Sequence, residues 1–249
     1  MSAVISNRRR SDRRLSSALL GGVVGPPLFV AVFLVDGFIH PAYNSVTDFV
    51  SELSRGELGW LQVVNFLVFA GMMLMFAAGI RWGAPVGPGS VAGSALFAII
   101  GVSLVVCGLF VTDPHTAKVQ TVQGMIHIFA AMPVFGGMAL ACSIFARRFQ
   151  GFLRWYSLAS GALVLVSWVA IFPVGYPFGI IGIMQRVAIL IGLTWITVLA
   201  VALCAERAGE IRAYRTAPRQ PCPARRYACR TSDPGRIDAM SHVSANHPA

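Results

Sequence analysis

Across 249 residues the chain is 56% hydrophobic and only 12% charged, with a mean hydropathy of +0.69. Soluble domains carry about a quarter charged residues, so this composition excludes a soluble globule, and spans of roughly 20 apolar residues each leave room for one bundle and no separate enzyme domain. The formal charge of +10 sits at the two ends, +4 within residues 1–14 and +4 within residues 206–249, which excludes a folded basic face and, with it, nucleic acid as a partner.

Residues 1–14 hold five arginines and form a basic cytoplasmic N-terminus. The first apolar run, residues 15–35, is about twice the length of a signal-peptide core, contains Pro26-Pro27 and lacks a small-residue cleavage site. It is therefore expected to be a retained span, kinked at the prolines. Further spans follow at residues 59–80, 91–111, 122–146, 155–172 and 180–205. None alternates as a barrel strand would, so the fold class is all-α: a polytopic membrane protein with a six-transmembrane-helix bundle. Residues 206–249 mix Arg, Pro, Ser and Ala without apolar periodicity and are expected to be a disordered cytoplasmic tail, or one that touches anionic headgroups. The cysteines Cys107, Cys142, Cys204, Cys222 and Cys229 follow no disulfide or zinc spacing.

Sidedness comes from the connections. Arg81, Arg147, Arg148 and Arg154 lie in loops on the same side as the two basic termini, whereas the other loops hold only Arg55 and Lys118. The positive-inside rule then places both termini in the cytoplasm and the chain in the inner membrane. The five acidic groups between the termini, Asp36, Asp48, Glu52, Glu57 and Asp113, fall on the outer side.

The first outer loop, Asp36–Leu58, reads as a short amphipathic helix. Ser45 and Asp48 have capping-box spacing, Val46, Phe49, Val50 and Leu53 recur at helical intervals, and Gly56 ends the run. Ser51 and Glu52 cap nothing in this reading and are free to face a cavity beneath a lid. His40, His115 and His127 all map to the same side, with Gln120, Gln123 and His127 forming a stripe on span four and Gln185-Arg186 opening span six. Ionisable groups within a span are costly unless they face protein or water, so His127 and Arg186 are expected to point into the bundle.

Five uses of this cluster stay open. Asp113, His127 and Arg186 can satisfy one another as a structural network. His40, Ser51, Glu52, Gln123, Gln185 and Arg186 can line a binding site for a lipid or small amphiphile, with Arg186 holding a phosphate or carboxylate. Asp113, His115 and His127 can ligate a divalent metal such as zinc, making Glu52, Asp113 and His127 catalytic candidates in a lipid hydrolase. A proton-coupled carrier with His127 and Asp113 as its relay, or an accessory role beside a membrane-protein partner, completes the set, with membrane lipids the common partner.

The run His40-Pro41, Ser45 and Phe49-Val50-Ser51-Glu52-Leu53, then Gly59-Trp60-Leu61, Asn65-Phe66, Gly71, Asp113-Pro114, Gly124, His127 and Gln185-Arg186, resembles the integral membrane family catalogued as domain of unknown function 998. The likeness covers roughly residues 20–205. It implies a bacterial or archaeal six-span protein and carries no established activity. Multi-span ceramidase-like hydrolases are a further analogy, but this chain lacks their paired histidines on the last helix.

Overall fold

Backbone amides inside lipid must find their partners within the chain, and here they do so through helices alone. The structure, a computed structural model, describes residues 17–216 and contains no strand among them. Six helices are long and apolar enough to cross a membrane. They are α1 (Leu20–Ile39), α2 (Gly59–Ala78), α3 (Ala92–Leu109), α4 (Val122–Phe145), α5 (Phe152–Val169) and α6 (Ile181–Thr216). The all-α, six-span fold class expected from composition is the fold observed.

The boundaries differ where polar residues turn out to be compatible with helix. Asp36 does not stop α1 but lies inside it, 1% exposed, with His40 Nδ1 3.3 Å from its Oδ1 one turn later. α5 begins at Phe152, directly after Gly151 in a left-handed conformation (φ 60°), and gives way to a π-helical segment, Ile171–Gly175, that contains Pro173. α6 continues past the expected end at Ala205 to Thr216, with Arg207 and Glu210 paired at 3.5 Å on its surface. The basic N-terminus at 1–14, Cys222, Cys229 and the expected tail beyond 216 lie outside the described residues.

Interhelical packing, not flight from water, holds such bundles together. At the centre Phe97 meets Phe76 edge-on at 4.8 Å and stacks on Trp195 at 6.4 Å, and the Trp195 indole N–H donates to Ser157 Oγ at 3.0 Å. Each such aromatic contact contributes about 0.5–1.5 kcal/mol beyond its area. Trp60, Trp82 and Trp155 remain exposed at helix ends, as interfacial anchors do.

The first loop departs from expectation. Its only helical piece is a five-residue 3₁₀ turn, Val50–Ser54, buried at every residue and therefore not amphipathic. The expected cap is also reassigned. Asp48 looks backward, accepting from the Asn44 amide (2.8 Å) and the Thr47 hydroxyl (2.7 Å). Glu52 is the capping group, with Oε1 accepting from the Phe49 amide at 3.1 Å. Val46, expected on the apolar face, is 43% exposed.

Candidate functional site

The loop is seated on the start of α6. The first free amides of that helix, Gly182 and Ile183, both donate to Val46 O (3.0 and 3.3 Å), as unpaired amides at a helix N-terminus require a partner. One turn on, Arg186 Nη1 donates to Ser45 O (2.6 Å), Asp48 O (3.2 Å) and Gly182 O (3.0 Å), and Nη2 to the Tyr43 phenol oxygen. Gln185 Oε1 accepts from the Val50 amide at 2.7 Å, fixing the 3₁₀ turn. Only glycine permits this seating: a Cβ at 182 would lie 2.5 Å from Asp48 O and 2.7 Å from Ser45 O. Arg186 is thus a clip for loop carbonyls and does not face an anion. Burial pushes the Tyr43 phenol up to about 12, against the opposing pull of Arg186, so this phenol keeps its proton and donates to Phe49 O at 3.2 Å.

Asp113 is equally committed. Its carboxylate accepts from the Thr121 amide (2.6 Å) and hydroxyl (3.0 Å), and Thr121 Oγ1 in turn accepts from the Gly124 amide (3.1 Å), capping α4. A side chain at Gly124 would collide with that carboxylate. The network expected among Asp113, His127 and Arg186 is therefore not formed; each satisfies different partners. Nor do Asp113, His115 and His127 turn toward one common point, although all three border one cavity. His115 Nδ1 lies 3.1 Å from Glu52 Oε1 and 3.8 Å from Asp48 Oδ1, while His127 turns to backbone carbonyls. Among the described residues no three His, Cys, Asp or Glu side chains are placed to hold a metal ion, which leaves the zinc site without its ligand set.

Between the loop and the bundle lies a cavity of about 160 Å³, walled by Ser51, Asp113, His115, His127, Trp168 and Gln185 among others. A second space of about 60 Å³ continues into the bundle among Phe29, Phe66, Phe69, Ile100, Leu104, Met138 and Leu193. Ser51, His127, Ala131, Phe135 and Gln185 border both, forming the neck between an outer chamber of mixed lining, with Asp113, His115 and Gln120 in its wall, and an apolar inner one. Phe135 stacks on Trp168 with ring centroids 5.7 Å apart, making one flat wall of the outer chamber.

His127 is the decisive group in the neck. It is 4% exposed, and its Nδ1 lies 2.8 Å from Phe110 O and 3.1 Å from Cys107 O. Carbonyls only accept, so Nδ1 carries a proton; in the neutral imidazole Nε2 then keeps its lone pair, with no protein hydrogen bond to it, and the residue borders both chambers. Of the other candidates, Glu52, Arg186, His40 and Gln123 border neither chamber. Glu52 holds the 3₁₀ turn and His115; His40 pairs with Asp36. Gln123 is exposed because the buried stripe of α4 runs through Gly124, His127, Phe135 and Met138 and passes it by. Nearby, Asp36 Oδ2 and Gln62 Nε2 are buried without a hydrogen-bond partner. Sequence reasoning missed Tyr43, Thr121 and Trp168. Thr121 alone left a signal, as a capping residue directly before the fourth apolar run.

The residues that carry this arrangement lie within the stretch matched by one family: the model described as protein of unknown function, DUF998, matches residues 23–202. The chain belongs to that family. As a DUF998 protein with six apolar helices it is a multi-pass membrane protein. No curated protein and no solved structure matches it.

Proposed function

We propose that this DUF998 protein binds a lipid-like amphiphile, its head group in the outer chamber and its chain directed into the inner one, in the inner membrane with the first loop outward. The observation that carries the reading is the neck, where Ser51, Gln185 and His127 separate a space of mixed polar and apolar lining from an almost wholly apolar one. Polar groups few in number and fixed in place, set against apolar walls, are how small-molecule sites obtain orientation. The chambers are small beside the roughly 300–1,000 Å³ that encloses a drug-sized ligand, which suits a head group and the first part of a chain. The outward orientation is supported by Arg81, Arg147, Arg148 and Arg154, all at the end opposite the loop.

The test is ligand titration in nanodiscs, read by Trp168 fluorescence with Trp168→Phe as the control for signal origin. A short-chain monoacylglycerol is expected to bind saturably, His127→Ala to weaken it by about tenfold, equivalent to about 1.4 kcal/mol, and Ala131→Trp, which fills the neck, to abolish it. Unchanged binding in both variants would refute the proposal.

A further inference from the structure

The charge inventory of the cavity narrows the ligand, on the premise that the cavity binds an amphiphile at all. Neither chamber has a lysine or arginine in its wall. Arg186, the cation closest in sequence to the neck, borders neither chamber and turns its Nη1 and Nη2 to Ser45, Asp48, Gly182 and Tyr43. Lys118 is exposed on the loop and Arg55 borders neither chamber. The charged or titratable side chains that do form the outer wall are Asp113, His115 and Tyr176, together with His127 in the neck, and only Asp113 is a fixed charge.

The balance of these groups leaves one fixed negative charge and no lysine or arginine against it. Asp113 has only neutral partners, the amide and hydroxyl of Thr121, so no countercharge cancels its carboxylate beyond the N-terminal end of α4. His115 already faces two carboxylates, Glu52 and Asp48. His127, nine-tenths buried and more, offers an acceptor at Nε2 because its proton is held on the other nitrogen. A phosphate or carboxylate entering here would meet a lone pair and a carboxylate with no cation to offset them, whereas a hydroxyl or an amine would supply the missing proton.

We infer that the site selects amphiphiles whose head group donates hydrogen bonds and carries no negative charge, and rejects lipid phosphates and fatty acids. This reverses the role that the sequence suggests for Arg186. Four ligands of equal chain length test it in nanodiscs: octylamine, monooctanoylglycerol, octanoate and octyl phosphate, with Ala131→Trp correcting for partition into the bilayer. The amine and the glyceride are expected to bind at least about tenfold tighter than either anion, a difference of about 1.4 kcal/mol or more. Asp113→Asn is expected to narrow the gap between octylamine and octanoate. Equal or tighter binding of the anions overturns this inference alone. Binding of none of the four overturns the amphiphile reading beneath it as well.

Discussion

Both ends of the bundle are tied by an arginine that reaches loop carbonyls across to α6, and the two ties do different things. At the end away from the first loop, Arg148 bonds Glu206 of α6 through Nε and Nη2 (3.0 and 2.6 Å) and also donates to Pro85 O at 2.8 Å. Charge meets charge there, and Arg148 is 6% exposed. At the first-loop end Arg186 sits on α6 itself and gives Nη1 and Nη2 to carbonyls and a phenol, while the carboxylate of Asp113 is held by the amide and hydroxyl of Thr121. The same side chain type closes one end electrostatically and keeps the other acidic. What separates a structural clamp from a ligand site is whether the cation is used up on neutral acceptors.

The comparison breaks most forcefully at Gly182. Gly182→Leu drives a side chain into Asp48 O and Ser45 O, so the loop must lift. A loss of about 3 kcal/mol or more in chemical denaturation, with amphiphile binding gone, is the expected result. Near-native stability and binding would show that the loop is not seated on α6. The second test sets the two arginines against each other. Arg148→Ala strands Glu206 and is expected to cost about 2 kcal/mol of stability while leaving the binding constant within about twofold. Arg186→Ala is expected to cost a similar amount but to weaken binding as well, since the loop forms the roof of the outer chamber. Equal effects on binding would erase the distinction between clamp and site. The smallest effect concerns alkaline pH. Tyr43 has a folded pKa raised to about 12 against an ordinary value of 10.0. Unfolded chain ionises first, so stability from this burial is intact below pH 10 and declines as pH rises toward about 12. Tyr43→Phe should flatten that decline in melting curves taken across the interval.

Six spans were legible because lipid imposes one rule on every residue of a helix, and composition alone reports whether the rule is obeyed. The gathering of Asp48, Glu52, Asp113, His115 and His127 at one end was legible for the same reason: titratable groups survive where a helix meets water. Partner choice was not. Charge says which end Arg186 belongs to, but whether its guanidinium meets an anion or a row of carbonyls depends on the path of a loop 138 residues away from it at Asp48. Glu52 illustrates the same limit. A 3₁₀ turn beginning after Phe49 makes it a cap, where an α-helix beginning after Ser45 would have left it free. Gln123 fails on a smaller geometric margin, because helical spacing places residues on a face only to within a fraction of a turn.

One rod carries both ties. Gln185 and Arg186 lie near the first turn of α6 and Glu206 lies well beyond its midpoint, at a separation of roughly 30 Å for an unbroken helix rising 1.5 Å per residue. The loop seat at one end and the Arg148 clamp at the other are therefore fixed to a single continuous helix, and a change in its length or register would be felt by both.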